Sequence, residues 1–128
     1  MNKNFDTWNE IKKETHDRKP IPLFSEREVW WYALVVNIGS EEDGKGQNYL
    51  RPMLVVRKFN RDIFYGLPIT SNKKYNKFHF VMDSGKIQGS IILSQMRLID
   101  AKRLSHILGK ITEKELKQIK EKLKDLFP

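Results

Sequence analysis

Arg51 and Thr70 are the residues from which phosphoryl chemistry could be built in this sequence. Arg51 directly precedes Pro52 in "RPMLVV", and Thr70 closes "LPIT" two residues after Pro68. A guanidinium stays charged and donates two parallel hydrogen bonds to a phosphate. A hydroxyl across from it can hold another phosphoryl oxygen. RNA brings its own nucleophile, the 2′-hydroxyl beside each phosphate. A catalyst acting on RNA must align that hydroxyl, neutralise charge building on the equatorial oxygens and see the departing 5′-oxygen protonated. Losing one preorganised donor in such a site costs on the order of 3 kcal/mol in the transition state. Pro52 biases Arg51 towards extended backbone. If the flanking strands pair across "NRD", Arg51 lies ten residues before Arg61 and Thr70 nine after it, so both reach the hairpin's open end. An arginine beside a strand is also an ordinary surface residue, and spacing alone does not separate the two readings.

Other polar residues sit within apolar sequence. Ser90 and Gln95 are placed either to read base edges or to satisfy backbone groups at a bend. Arg97 either holds a phosphate or base, or pairs with an acid such as Asp100. Lys73, Lys74 and Lys77 cluster after Thr70 and are placed to steer a polyanion. His79 is a candidate acid or base, and equally a solvent-facing strand position. HExxH, the full GxxxxGK[ST] phosphate loop and GxSxG are all absent, as is a paired His/Asp cluster. The expectation is therefore chemistry without metal or cofactor, carried by Arg, Thr, Ser, Gln and backbone groups.

Composition bounds the rest. The 128 residues suit one domain. The absence of cysteine removes disulfides, thiolate catalysis and Cys-based metal sites, and fits a reducing, cytoplasmic setting. Lys and Arg outnumber Asp and Glu by 24 to 16, a formal charge of +8 that suits a polyanionic partner and equally a lysine-rich solubilising surface. The alternation of charged and apolar residues in "MNKNFDTWNEIKKETHDRK" argues against a signal peptide, and no apolar run reaches membrane-spanning length.

The elements that must position these side chains are short. Residues 1–24 read as an arm, a short helix with Phe5, Trp8 and Ile11 followed by the extended "RKPIPLF", packing through Trp8 and Phe24 on the body or a partner. Residues 25–128 read as a single domain. "EVWWYALVVN", "RPMLVVRKF", "IFYGLPIT", "KFHFVMD", "SIILS" and "QMRLID" are strand signals separated by turns. They predict a mostly β fold, a small, strongly curved antiparallel barrel or sandwich. Two appended helices follow: "AKRLSHIL", ending at Gly109 with His106 on its polar face, and "TEKELKQIKEKLKDLF", with a Thr112–Glu115 capping box.

From Glu28 to about Leu116 the chain resembles the PemK/MazF toxins of bacterial type II toxin–antitoxin systems. The resemblance rests on "EVWWYALVVNIGSEEDGKG", "RPMLVV", "LPITS", "GSIILSQMRLID" and "KRLSHILG" taken in order. It implies an SH3-like barrel, a homodimer, metal-independent cleavage of single-stranded RNA at short motifs, and neutralisation by a cognate antitoxin. It places the catalytic pair on Arg51 and Thr70, and RNA contacts on Ser90, Gln95, Arg97 and one of the loop acids Glu41 or Glu42. Exposed aromatic surface at Trp30, Trp31 and Tyr32 would favour dimerisation. Glu28 stands where such toxins usually have glycine, so the lead-in to the first strand should differ. The competing readings are a toxin of the same fold that targets a topoisomerase without cutting, and a silent RNA-binding barrel.

Overall fold

The computed structural model describes residues 20–35 and 48–127. Trp8 and most of the arm, and the polar loop carrying Glu41 and Glu42, lie outside the described residues. Seven strands and a helix follow in order: β1 (Glu28–Val35), β2 (Asn48–Lys58), β3 (Ile63–Thr70), β4 (His79–Ser84), β5 (Ile87–Ile92), β6 (Arg97–Asp100), β7 (Leu104–Lys110) and α1 (Glu113–Asp125). The sheet runs β4–β5–β3–β2–β1–β7, all pairs antiparallel, and β6 joins the edge of β3 that β5 leaves uncovered. It curls into a half-barrel, as the turn-rich strand pattern predicts.

Both faces of the sheet are covered, which is why "VWWYAL" and "MLVV" read as continuous apolar runs and not as alternation. One face carries Leu54, Leu67 and Ile69 against Leu116, Ile119 and Leu123 of α1. The other buries Trp30, Tyr32, Met53, Val55, Phe64 and Ile99 inside the curl. Phe24 belongs to this second core, its ring 5.1 Å from that of Phe64. Trp30 and Tyr32 are thus consumed by the chain's own interior and do not supply the surplus aromatic surface expected of them. Trp31 alone of the three is half-exposed.

The helix expected over "AKRLSHIL" does not form. Ala101–Arg103 make one 3₁₀ turn, capped by the Asp100 carboxylate accepting from Lys102 N, and Leu104–Lys110 are β7. β7 pairs with β1 through two register shifts, so Leu104, Ile107 and Leu108 lose period-two alternation and mimic helical spacing. His106 stacks on Trp31 at 6.0 Å. α1 forms as expected, with reciprocal capping bonds between Thr112 and Glu115.

β1 begins at Glu28, where the strand signal begins, and in the lead-in just before it Arg27 takes the left-handed backbone, φ 78°. Its carbonyl accepts from Ile111 N at 2.8 Å, its N–H donates to Val55 O, and its guanidinium donates to Ile111 O at 3.2 Å. Arg27→Gly and Arg27→Ala both delete that side-chain bond, but only glycine relieves the backbone. Gly should be the more stable of the two by about 1 kcal/mol, read from urea denaturation.

Gly89 bears directly on Thr70. Its φ is 123°, and a Cβ there would stand 1.9 Å from the Thr70 carbonyl oxygen. β5 crosses β3 closely only because position 89 has no side chain. Gly89→Ala should cost about 2–5 kcal/mol, from strain and displaced backbone together, measurable in the same denaturation assay.

Candidate active site

The hairpin register brings the two sequence-selected residues to one end of the sheet. The β2–β3 ladder closes with Met53 opposite Pro68. Arg51 and Thr70 each lie two residues beyond that pair on their own strands, and a spacing of two returns both to the same face. Beyond Pro68 the strand changes neighbours, and Ile69 and Thr70 pair with Ile91 and Ser90 of β5. The open end therefore splays. The "NRD" turn closes the far end, where Asn60 Oδ1 accepts from Asp62 N and Ile63 N.

A cleft of about 200 Å³ opens where these strands part. Trp31, Pro52, Ile69 and Thr70 line it, with Lys86 and Gln88 among its polar members. Thr70 lines this cleft, whereas Arg51 alternates with Pro52 to the other face of β2, exposed and opposite Tyr32 of β1. The Thr70 hydroxyl accepts from Asn72 N at a long 3.4 Å. That contact spends an oxygen lone pair and leaves the hydroxyl's own hydrogen available.

The remaining candidates divide. Ser90 is fully buried and its Oγ accepts from Lys74 N at 2.8 Å. Ser90 thereby anchors the loop after Thr70, the bond its bend reading calls for. Lys73 is tied to Asp83 at 3.2 Å. This bond, with a second from Gln88, holds the exposed Asp83 carboxyl below its ordinary range. Lys74 and Lys77 are exposed on the same loop, and Lys77 lies 5.3 Å over the Phe78 ring. Gln95 is exposed at the end of the Leu93–Gln95 turn. Arg97 does not pair with Asp100; its Nη2 donates to the Tyr32 hydroxyl at 3.1 Å. His79 Nδ1 lies 2.7 Å from Asn76 Oδ1, an oxygen that already accepts from Phe78 N, so Nδ1 is the donor there.

Sequence reasoning missed two residues of this region. Trp31 reads as one more apolar strand residue, and Tyr32 likewise. Nothing local marks Tyr32 as the cross-strand neighbour of Arg51, because that relation exists only once β1 and β2 are in register. Among the described residues no helix is long and apolar enough to cross a membrane.

Ser90→Ala would leave the Lys74 N–H without its buried acceptor. The expected loss is about 1–3 kcal/mol in thermal or urea denaturation, with faster amide exchange confined to the 71–78 loop.

Comparison with known proteins agrees with this architecture. The matched chain of a MazE–MazF complex from Deinococcus radiodurans superposes with TM-score 0.65 at 20% identity, covering 84% of this chain and 96% of that one. An endoribonuclease from a mycobacterial species gives 0.61 at 15% identity, over 83% and 90%. The Mycobacterium tuberculosis toxin MazF-mt6 gives 0.59 at 17%, over 79% and 96%. No curated protein matches in sequence. Residues 25–127 match the PemK-like, MazF-like toxins of type II toxin–antitoxin systems, a span covering both β2–β3 and α1, and the chain belongs to that family.

Proposed function

We propose that this protein is an endoribonuclease toxin that cuts single-stranded RNA by 2′-hydroxyl attack on the neighbouring phosphate, using Arg51 and Thr70. The observation that carries the reading is the register that sets both residues on one face at the splayed end of β2–β3. Arg51 directs its fork at the non-bridging phosphoryl oxygens, where charge grows in the transition state. Thr70 donates its free hydroxyl hydrogen to another oxygen of the same group. The 2′-oxygen loses its proton and bonds to phosphorus; the bond to the 5′-oxygen breaks and that oxygen takes a proton. The products are a cyclic 2′,3′-phosphate and a 5′-hydroxyl. Nothing in this sequence of steps calls for a metal or cofactor.

The cleft suits an unstacked base. An indole wall, a proline and Ile69 offer apolar contact, and Gln88 offers an amide to a base edge. Gln95, Lys74 and Lys77 are exposed around the same loops and would contact or steer the strand; one of Glu41 and Glu42 would complete the site from the polar loop. The family assignment supports a cognate antitoxin as protein partner, since the Deinococcus relative is a MazE–MazF complex. Leu98 and Ile107, 56% and 48% exposed, offer apolar surface to a second copy of the chain.

Purified protein incubated with mixed-sequence RNA in EDTA should produce discrete new ends bearing cyclic phosphate. Arg51→Ala and Thr70→Val should each lower the cleavage rate about 100- to 1,000-fold while leaving the melting temperature close to that of the parent. RNA that is bound but uncut by the parent protein would overturn the enzyme reading in favour of a binder.

A further inference from the structure

We propose that the outer edge of β4 is a docking site for an extended, acidic segment of a protein partner, which joins the sheet as one more strand and sets its carboxylates on the lysines of α1. The proposal is independent of the RNA-cleavage reading, because no residue of β4 lines the cleft that holds Thr70.

Among the described residues the sheet ends on β4 at one side and on β7 at the other. The two edges differ. β7 meets β1 through register shifts, the irregularity that blunts an edge. β4 runs against β5 from His79 to Ser84 without a shift, so its outer side is a regular row of backbone groups. The direction of each group follows from the bonds at the two ends. The hairpin turns through Gly85 and Lys86 between paired Ser84 and Ile87, and at the other end the Phe78 carbonyl accepts from Leu93 N at 2.8 Å. Hydrogen-bonded pairs alternate with non-bonded ones along an antiparallel ladder. Phe80, Met82 and Ser84 therefore turn their N–H and C=O to β5, and His79, Val81 and Asp83 turn theirs outwards. His79 N–H is taken by the Asn76 carbonyl. Val81 keeps both an outward donor and an outward acceptor, flanked by the His79 carbonyl and the Asp83 N–H. An added strand can exchange two bonds with Val81 and one with each neighbour.

The side chains beside the edge select the partner. On the α1 side Phe80 packs against the core and lines a groove of about 560 Å³. Lys114, Lys117, Gln118, Glu121 and Lys122 supply the rest of the lining, at steps that form one stripe along α1 beside buried Leu116, Ile119 and Leu123. Three lysines stand there against one glutamate, and none of the three is ion-paired among the described residues. A strand laid along β4 sends every second side chain to this face. Apolar ones meet Phe80 and the lysine stems, and carboxylates meet the ammonium groups. A basic segment, or a second copy of this chain bringing the same lysines, meets like charge. Backbone pairing thus supplies affinity, and the lysine stripe supplies the preference for acids.

The test uses the 15N-labelled full chain and a short peptide of alternating valine and glutamate. Without peptide, the Val81 and Asp83 amides should exchange with solvent much faster than those of Phe80 and Met82, which are bonded to β5. Equal protection would overturn the open edge, and protection of Val81 that grows with protein concentration would overturn the acidic partner in favour of a second copy. With peptide, amide shifts should appear from His79 to Asp83 and along the Lys114–Lys122 stripe. Exchange at Val81 should slow about tenfold once peptide stands at roughly ten times Kd. The same peptide N-methylated at every residue offers no donor and should leave these amides unmoved, as should alternating valine and lysine. Binding by either, or silence of β4 towards the acidic peptide, would overturn the proposal with the parent protein unaltered. Val81→Pro removes one outward N–H, spares the bonds to β5 and should weaken binding. Lys114→Glu with Lys117→Glu, both exposed, should weaken it about tenfold with little change in melting temperature; parental affinity in that pair would overturn the acidic preference.

Discussion

The end of the β2–β3 ladder at Met53 and Pro68 governs this molecule. Next to that pair Met53, Leu54, Val55 and Leu67 are buried, against α1 on one side and in the inner core on the other. A one-residue slip would exchange the two sets of side chains, moving Leu54 and Met53 into each other's cores, so the register is strongly specified. Beyond that pair β3 turns to β5, and the backbone opens instead of continuing as sheet. A cleft at this point follows from the change of partners. Arg51 and Thr70 inherit their positions from a register that hydrophobic burial enforces far from either of them.

Around that opening the polar groups serve two purposes. Some are spent on the fold itself. Ser90 holds the Lys74 amide, Asp100 caps the turn before β7, and Glu28 accepts both Ser25 N and the Trp30 indole N–H. These bonds satisfy groups that would be costly to bury alone. The others, Arg51, Gln95 and Arg97 among them, are exposed. Buried, satisfied groups thus hold the loops while exposed donors face outwards, an arrangement suited to gripping a polyanion. The substrate's own nucleophile makes such a modest set of side chains sufficient for the proposed chemistry.

Much of the architecture was legible in the chain. Apolar runs rich in β-branched and aromatic residues, broken by turn residues, identified β2 to β5, and "NRD" marked the hairpin turn. Thr112 and Glu115 announced the start of α1, because a capping box is a local device within four residues. The failure at Leu104–Lys110 has an equally physical origin. That strand lies at the sheet's edge and pairs through bulges, so its burial is set by where β1 touches it and not by its own alternation. Likewise, aromatic content suggested surface at Trp30 and Tyr32, whereas the curl of the sheet had an interior for them.

By itself the sequence determined which residues were chemically able to act. A guanidinium held by a proline, a threonine after "PI", and a serine, a glutamine and an arginine inside apolar phrases are properties of side-chain type and immediate neighbours. Tertiary structure alone decided which of them face one another. It buried Ser90 to anchor a loop, bound Lys73 to Asp83, and put Tyr32 opposite Arg51 in the β1–β2 register with its hydroxyl accepting from Arg97. Those outcomes depend on residues 10 to 65 positions apart in the chain meeting in one fold. The free energy that selects that register comes from the two buried cores as wholes, and no short stretch of sequence contains it.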